Sequence, residues 1–413
     1  MDGFFVSSFE VAKFLLLLKI VLLNEPSLWL TSITYKAMIF ITIAQLFLIF
    51  WVVIYLTINM IYLVRLYPAK DRSILYPYLS VCIPARNEER DIENCLESLL
   101  NQDYPAFEVI VVDDNSSDRT ASIICSMKSQ YSNLVFISGE SLAPGWLGKP
   151  YALYQACQVS RGDYLLFTDA DLVYQRYALK TAMNKVIDEK LDLLTLMPAA
   201  IFSSFWERAI QPVIFGFIAA LTNFRKVNSS TSQSAMGFGA FLLFEKEAYQ
   251  RIGGHVAVKK EILEDVMIAK ISKLNGLNML VADGKLLFSI RMYHSIKEIW
   301  VGWRKNIFLA MKGSITKTIF YAIVILCFVL TPYITVIANF WVGTGVVWIG
   351  VSFIGLILCL MTGCGLCHEL GLKKHNVFLF PLGAIAMVMI MFNSMVQVVI
   401  FGRAEWRGRI YKQ

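Results

Sequence analysis

Charged residues are scarce in this chain. Only 17% of its 413 residues are charged and 57% are apolar, whereas about a quarter of a soluble domain is charged. The shortfall comes from three segments without Asp, Glu, Lys or Arg, at residues 37–64, 318–368 and 376–402. Because about 20 apolar residues cross the hydrocarbon core of a bilayer, the first and third segments could span once each and the second twice. The composition predicts an integral membrane protein.

Two nucleotide-binding signatures are also missing. The first predicted strand of the polar middle is not followed by a glycine-rich dinucleotide fingerprint, and the chain has no Walker lysine motif. These absences argue against a dehydrogenase and against a P-loop ATPase. The excess positive charge of +7 is not gathered into a patch with interleaved aromatic residues, so we expect no nucleic-acid partner.

The basic residues indicate a topology instead. They flank the first and second predicted spans, at Arg65, Lys70 and Arg72 on one side and at Arg304, Lys305, Lys312 and Lys317 on the other. Cytoplasmic flanks of membrane spans carry an excess of Lys and Arg. The polar region between these flanks is therefore predicted to be cytoplasmic, in an integral, multi-pass membrane protein.

This pattern divides the chain into three parts. Residues 1–72 are expected to hold an N-terminal interfacial segment and a transmembrane helix at about 37–64. Residues 73–312 form the cytoplasmic domain, with an interfacial helix at about 203–224 that is too short to cross. Residues 313–413 form a C-terminal membrane region with spans at about 318–340, 345–367 and 376–401. Three spans there would place Arg403, Arg407 and Arg409 on the non-cytoplasmic side, against the excess of Lys and Arg on cytoplasmic flanks. The last segment is therefore our candidate for a re-entrant or interfacial helix.

The cytoplasmic domain reads as alternating strands and helices. Helical stretches separate five apolar, β-branched runs, which are Leu79–Ile83, Glu108–Val112, Leu134–Ser138, Tyr164–Thr168 and Leu193–Met197. Continuous apolar strands are typical of a parallel sheet that is covered on both faces. Residues 87–102 place Ile92, Cys95, Leu96, Leu99 and Leu100 on one helical stripe. The sequence therefore predicts a doubly wound, mostly parallel α/β domain together with transmembrane α-helices.

Polar clusters follow three of these strands. They are PARNEE (84–89), DDNSSD (113–118) and Asp169-Ala170-Asp171. In such sheets ligands bind outside the carboxyl ends of the strands, so the clusters should converge. Concentrated carboxylates favour a divalent cation that is also held by phosphate oxygens. The alternative is a set of solvated loops, in which residues such as Asp118 only cap helices.

These motifs, followed downstream by Glu264-Asp265, resemble the family-2 glycosyltransferases, which have the Rossmann-like GT-A fold. The resemblance covers most of residues 79–306. It implies a nucleotide-sugar donor, a UDP- or GDP-sugar, and inversion at the anomeric carbon. It also implies that Asp169 contacts the donor and that Asp169 and Asp171 hold Mg²⁺ or Mn²⁺ with the diphosphate. The nucleoside would be bound by Pro84, Ala85, Arg86, Asn87, Glu88, Asp113 and Asp114.

The Glu264-Asp265 pair matches the family's catalytic pair, in which the aspartate is the general base. An acceptor hydroxyl is a weak nucleophile, and a positioned carboxylate can take its proton during attack. The resemblance therefore implies that Asp265 is the base and that Glu264 is its catalytic partner. The structural alternative is the acidic first turn of a helix, since VMIAKISKL follows.

Two further segments narrow the resemblance. GWLGKPYAL (145–153) is similar to family members that glycosylate carotenoids, of the diaponeurosporenoate type, or that act in hopanoid pathways, and more distantly to ceramide glucosyltransferases. Lys149 would then lie near the donor, and Trp146 would line the acceptor site. Trp303-Arg304 stands where many relatives carry Gln/Arg-x-x-Arg-Trp, and both residues are expected at the donor diphosphate. The departure from that signature counts against a processive synthase, and an interfacial helix is the structural alternative for this stretch.

The glycine-broken segment MGFGAFLLF (236–244) corresponds in the family to a loop that borders the acceptor. Gly237, Phe238 and Gly239 are therefore expected at the acceptor site, because glycines let a backbone approach a ligand closely. A buried bulge would explain the same glycines without a ligand.

Together these features predict an inverting membrane glycosyltransferase with a lipid acceptor. The acceptor would be a carotenoid or other isoprenoid first, then a hopanoid, a glycerolipid or a sphingolipid. Two alternatives stay open: a processive polysaccharide synthase, and a non-catalytic membrane protein that only binds nucleotide sugars.

Overall fold

The structure, a computed structural model, describes residues 28–68, 74–401, 403–406 and 409–412. The described chain divides into two compact units. One contains residues 28–52 and 327–361, and the other contains residues 53–326 and those from 362 onward. The interfacial segment expected before residue 28 lies outside the described residues.

The described helices alternate with strands in the polar middle and follow one another directly near the C-terminus. They are α1 (Leu28–Ile61), α2 (Ile92–Leu100), α3 (Thr120–Lys128), α4 (Gly148–Val159), α5 (Ala178–Glu189), α6 (Phe205–Leu221), α7 (Phe224–Val227), α8 (Lys246–Arg251), α9 (Glu264–Leu274), α10 (Ile296–Ala310), α11 (Ile315–Val329), α12 (Thr331–Val342), α13 (Val346–Glu369) and α14 (Phe380–Val399). Two 3-10 turns lie at Gly254–Val256 and Lys374–Leu379.

The described strands are β1 (Val64–Arg65), β2 (Leu79–Ala85), β3 (Phe107–Asp113), β4 (Leu134–Ser138), β5 (Tyr164–Phe167), β6 (Leu172–Tyr174), β7 (Leu193–Met197), β8 (Ala199–Ala200), β9 (Leu242–Glu245), β10 (Met279–Asp283), β11 (Phe288–Ile290), β12 (Arg403–Trp406) and β13 (Arg409–Lys412). The five strands predicted from the sequence are β2, β3, β4, β5 and β7.

Eight strands form the main sheet, in the order β1-β10-β7-β9-β5-β2-β3-β4. All neighbours are parallel except β9, which runs antiparallel to both β5 and β7. A second sheet has the order β6-β11-β8. The mostly parallel α/β fold is thus confirmed, and its one inserted antiparallel strand comes from the segment MGFGAFLLF.

The main sheet is buried on both faces, as the continuous apolar strands predicted. Side chains alternate between the faces along each strand, so Val81 and Ile83 belong to one core cluster and Cys82 to the other. The predicted stripe of α2 is the buried stripe, with Leu96 fully enclosed. Truncating such a leucine to alanine costs about 2–5 kcal/mol of stability.

Three described helices are long and apolar enough to cross a membrane, over Ile33–Ile61, Val346–Glu369 and Lys374–Val399. Helices α10 and α11 pass the same test together but meet at an angle of 117°. A single span was expected at about 318–340, and the structure has two helices there, α11 and α12. Pro332 lies in the first turn of α12, where its missing N–H is tolerated. In the middle of one continuous helix the same proline would break the hydrogen-bond pattern.

Polar side chains link the helices within the smaller unit. Thr335 donates to Gln45 Oε1 at 2.6 Å, and Asn339 donates to Thr42 Oγ1 at 2.8 Å. The Thr344 hydroxyl donates to Asn339 Oδ1 at 2.8 Å. These hydrogen bonds join α1 to α12.

Within the larger unit, α6 is fixed at both ends. Asn59 donates to the carbonyls of Ala219 and Thr222 at 2.9 and 2.7 Å and accepts from Phe224 N at 2.9 Å. These bonds satisfy groups that the end of a helix leaves open. At the other end the fully buried Glu207 completes a capping box and pairs with Arg291 at 3.0 Å.

Candidate active site

The polar clusters after β2, β3 and β5 lie at one edge of the main sheet, because these three strands are parallel neighbours. Cys82 pairs with Phe167, and Ala85 pairs with Asp113. The chain therefore leaves all three strands on the same side, as the sequence predicted.

The segment after β2 is joined to the segment after β3 by hydrogen bonds. Arg86 donates to the carbonyls of Asp114 and Asn115, at 2.5 and 3.2 Å. Asp114 N donates to the carbonyl of Ala85 at 2.7 Å. The backbone amide of Asn87, with φ of 54°, donates to Ser116 Oγ at 3.0 Å.

All the residues predicted to hold the nucleoside belong to these two joined segments. They are Pro84, Ala85, Arg86, Asn87, Glu88, Asp113 and Asp114. The carboxyl-bearing side chains of Asp113 and Asp114 are almost fully enclosed, and Glu88 N donates to Thr120 Oγ1 at 2.8 Å. The structure therefore brings this group together, and its role in donor binding remains a prediction.

Lys149, in the first turn of α4, links two carboxylates that are far apart in the sequence. Its Nζ lies 2.7 Å from Asp169 Oδ1 and 2.8 Å from Glu264 Oε1. Burial alone would lower the pKa of Lys149, but Asp169, Glu264 and Asp265 together hold it well above its usual value. The ammonium group therefore stays charged. We call Lys149, Asp169, Glu264 and Asp265 the carboxylate cluster.

Asp265 is placed by the backbone. Its Oδ2 accepts from Gly239 N at 2.8 Å, and its Oδ1 accepts from Val266 N at 2.8 Å in the first turn of α9. Desolvation and then the charge of Glu264 raise the pKa of Asp265 to about 6, although Lys149 opposes the shift. A carboxyl with this pKa is largely ionised at neutral pH and is basic enough to accept a proton.

Two glycines allow this close approach. A Cβ at Gly237 would lie 2.1 Å from the backbone oxygen of Asp265. A Cβ at Gly239 would lie 2.8 Å from Lys149 Nζ and 3.2 Å from Asp265 Oδ2. Phe238, between them, is held by its N–H, which donates to Thr195 Oγ1 at 2.9 Å. The segment predicted at the acceptor site thus lies directly against the carboxylate cluster.

Trp146 lies in an aromatic cluster at the start of α4. Its ring is 5.0 Å from that of Tyr154 and 5.3 Å from that of Tyr151, and Lys259 Nζ lies 6.0 Å from its centre. The Tyr151 hydroxyl donates to Glu140 Oε2 at 2.8 Å. These contacts give Trp146 a fixed position, and its predicted role at the acceptor remains a prediction.

Helix α10 carries the segment expected at the diphosphate. Trp303 is buried between Phe215 and Tyr293, with ring distances of 5.9 and 6.2 Å. The backbone carbonyl of Arg304 accepts from the hydroxyl of Ser394 on α14. These contacts hold α10 in place, and the predicted donor contacts of Trp303 and Arg304 remain predictions.

Sequence reasoning missed Lys305 as a site residue. Its ammonium is attracted electrostatically by Glu264, Asp265 and Asp169 and is repelled by Lys149. Successive residues of a helix point about 100° apart, so the pattern Arg304-Lys305 could not show which of the two faces the carboxylates. The pair of adjacent basic residues was the available signal.

His255, close in sequence to the proposed base, is a core residue. It is fully buried, its Nδ1 lies 2.7 Å from the Tyr249 hydroxyl, and its ring packs on Phe167 at 4.6 Å. Burial, helped by the nearby Lys149, lowers the pKa of His255 to about 3. It therefore stays neutral and is unsuited to bind phosphate by charge.

Within the described residues, no group of three or more His, Cys, Asp or Glu side chains could hold a metal ion by itself. Asp169 and Asp171 nevertheless supply the hard oxygen donors that Mg²⁺ and Mn²⁺ prefer. One or two carboxylates suffice for such an ion when phosphate oxygens and water complete its coordination. The donor set therefore fits a cation that is bound together with a diphosphate.

The fold is the GT-A fold, with the acidic clusters at one edge of its main sheet. The structure of a mannosyltransferase from Pyrobaculum calidifontis, PcManGT in complex with GDP-Man and Mn²⁺, matches with a TM-score of 0.51 and 17% identity. The match covers 88% of this chain and 99% of the other. At this identity the likeness establishes the fold.

Part of the sequence matches a known family. Residues 80–253 match the family described as Glycosyl transferase family 2. A Staphylococcus aureus 4,4'-diaponeurosporenoate glycosyltransferase, of strain USA300, is 28% identical over 253 residues. That alignment covers 60% of this chain and 66% of the relative, and the form from strain MRSA252 is also 28% identical, over 256 residues. The chain thus spans just under two thirds of the length of these curated relatives.

Proposed function

We propose that the protein is an inverting membrane glycosyltransferase that moves a sugar from a UDP- or GDP-sugar to a lipid in the bilayer. The observation that carries the proposal is the position of Asp265. It is a carboxylate held by Gly239 N–H at 2.8 Å, with its pKa raised to about 6, beside the acidic edge of the sheet.

In this mechanism Asp265 is the general base. As the hydroxyl oxygen of the acceptor attacks the anomeric carbon, its proton moves to the Asp265 carboxylate. The bond between the anomeric carbon and the diphosphate oxygen breaks, and its electron pair leaves with the nucleoside diphosphate. Attack from the face opposite the leaving group inverts the anomeric configuration. The N–H groups of Gly239 and Val266 fix the carboxylate, so that one geometry of attack is favoured.

The leaving diphosphate is expected near the positive charges of the site. Lys149 and Lys305 both interact with Asp169, and the diphosphate would be a stronger partner for them. Asp169 and Asp171 would hold Mg²⁺ or Mn²⁺ bound with the donor, and that ion would neutralise the charge that develops on the leaving group. The joined segments after β2 and β3 would hold the nucleoside.

A lipid acceptor is supported by the apolar helix that packs against α10, the helix that carries Lys305. The span candidate α14 packs on both α6 and α10: Trp300 donates to Asn393 Oδ1 at 3.2 Å, and a Cβ at Gly383 would lie 1.9 Å from the Ala209 carbonyl. The start of α6 also exposes Phe205 and Trp206, which suit the membrane interface.

The curated relative's name suggests the acceptor class. We expect an isoprenoid, since the diaponeurosporenoate relative acts on such a compound by its name. The general-base role of Asp265 applies to an acceptor hydroxyl, because a carboxyl acceptor would attack as its carboxylate and would have no proton to give up. The decisive experiment is mass spectrometry of lipids from cells with and without the gene, complemented by wild type or by Asp265→Asn. Loss of a lipid that carries one sugar mass, restored only by wild type, supports the proposal. Loss of a long polymer alone would contradict it.

The domain is proposed to face the cytoplasm in a multi-pass protein. Cys125 is exposed on the domain surface and offers a native probe. A membrane-impermeant maleimide should label Cys125 only after the cells are opened, and the Cys125→Ser variant should lose that labelling. Equal labelling in intact cells would place the domain outside.

A further inference from the structure

One ammonium group connects the two halves of the proposed site. Lys149 Nζ contacts Asp169, which we assign to the donor and its cation, and also Glu264, which precedes the proposed base. The distances, 2.7 and 2.8 Å, are those of strong charge-assisted hydrogen bonds. The two carboxylates thus share one ammonium group.

The surrounding backbone fixes the lysine. Leu147 N donates to the carbonyl of Lys259 at 2.8 Å, which sets the start of α4 two residues before Lys149. Gly239 closes the other side, because a Cβ there would lie 2.8 Å from Nζ. Only 20% of the Lys149 side chain is exposed. The ammonium therefore cannot swing freely to solvent, and the pairing with Asp169 is part of the built site.

A cation at this place competes with a metal ion. A divalent ion on Asp169 would lie next to the Lys149 ammonium, and like charges so close repel strongly where water is scarce. A sugar diphosphate changes this balance, because its oxygens offer new partners to the ammonium. The same oxygens complete the coordination of Mg²⁺ or Mn²⁺.

We propose that Lys149 is a positioning residue that holds Asp169 and Glu264 in the donor-free protein and keeps divalent cations from binding there until a nucleoside diphosphate is present. The inference rests on the proposed function, since it assumes a diphosphate donor at this edge. It predicts that metal and nucleotide bind together, and that metal alone binds weakly.

The test measures Mn²⁺ binding to the full-length protein in detergent, by electron paramagnetic resonance of free Mn²⁺, without donor or acceptor. Lys149→Met should tighten Mn²⁺ binding by about 10-fold or more, a size that groups around metal ligands commonly have. Lys149→Arg keeps the charge and should bind as weakly as wild type. Lys180→Met is the matched control, because Lys180 forms a 2.7 Å pair with Asp103 elsewhere in the domain. Unchanged Mn²⁺ affinity in folded Lys149→Met would overturn the inference.

A second measurement needs no variant. UDP or GDP should tighten Mn²⁺ binding to the wild-type protein, measured against the Mn²⁺ that the nucleotide alone binds in protein-free buffer. If neither nucleotide does so, the inference fails, even where Lys149→Met does not fold.

The outcomes separate this inference from the proposed function. Mn²⁺ binding is read without any transfer, so it can follow the prediction while no lipid is glycosylated, and then only the proposed acceptor chemistry fails. If the protein transfers sugar to lipid but the donor-free wild type binds Mn²⁺ tightly, the role of Lys149 is refuted while the proposed function stands.

Discussion

Gly239 donates its backbone N–H to Oδ2 of Asp265 at 2.8 Å, although the two residues are 26 positions apart. The absence of a side chain at Gly239 leaves room for this bond and for Lys149 Nζ, 2.8 Å from where a Cβ would be. The glycine-broken segment therefore both shapes the proposed acceptor site and orients the proposed base.

Gly239→Ala is expected to reduce kcat by about 100-fold, because small displacements of a positioned reacting group have effects of this order. Donor affinity should change much less, since the joined segments after β2 and β3 are not touched. Steady-state kinetics with a nucleotide-sugar donor would measure both. Gly365→Ala is the matched control, because a Cβ at Gly365 meets no atom within 4 Å. Normal kcat in Gly239→Ala would show that the contact is unimportant.

The pH dependence of transfer should show the ionisation of Asp265. The base works only when deprotonated, so kcat/KM should fall as the pH falls through about 6, the value set by desolvation and then by Glu264. Glu264→Gln removes the negative charge beside Asp265, so the pKa of Asp265 should fall and the midpoint of the kcat/KM profile should move to lower pH. Glu247→Gln, which removes an exposed carboxylate on α8, should leave the midpoint unchanged. A shift to higher pH in Glu264→Gln would contradict the assignment.

Lys305→Met tests the residue that sequence reasoning missed. Loss of its charge beside Asp169 and Glu264 should lower kcat/KM by about 10- to 100-fold, the range for a charge-assisted hydrogen bond to the donor. Lys305→Arg should recover most of the activity. We expect Arg304→Met, measured in parallel, to have a smaller effect; if it has the larger one, Arg304 is the diphosphate contact, as the sequence alone predicted.

Asn59→Ala should destabilise the attachment of α6. Three hydrogen bonds are lost at a buried site, and at about 0.5–1.5 kcal/mol for each the free energy of unfolding should fall by roughly 1.5–4.5 kcal/mol. Thermal unfolding in detergent and hydrogen exchange of residues 219–224 would report the change. Asn275→Ala is the control and should have little effect, because it removes only an exposed hydrogen bond from the Asn275 side chain to the Ile271 carbonyl. Unaltered exchange in Asn59→Ala would show that α6 is held by packing alone.

The sequence predicted the layers of the fold well because each signal was local. The stripe from Ile92 to Leu100 and the strand Leu79–Ile83 depend on periodicity within one element, and both are buried as expected. The position of the acidic clusters followed from the rule that parallel strands end at one edge. Only Pro332 indicated the break between α11 and α12, and a proline in an apolar run is compatible with one kinked helix.

The internal arrangement of the site could not be predicted in the same way. Lys149 meets Asp169 and Glu264 across 20 and 115 positions, and such pairs depend on tertiary packing rather than on any local pattern. The antiparallel insertion of β9 between β5 and β7 is equally non-local, and it brings Gly239 to Asp265. The motifs predicted which residues belong to the site, and their contacts are determined by the tertiary structure.

The most direct test of the account is transfer of labelled sugar in nanodiscs that contain an isoprenoid acceptor. Wild type should move the label from a UDP- or GDP-sugar into chloroform-soluble lipid. Asp265→Asn should bind the donor normally but transfer about 10²- to 10⁴-fold more slowly, the range for loss of a general base. Transfer at the wild-type rate by Asp265→Asn would contradict the central claim that this carboxylate takes the acceptor proton.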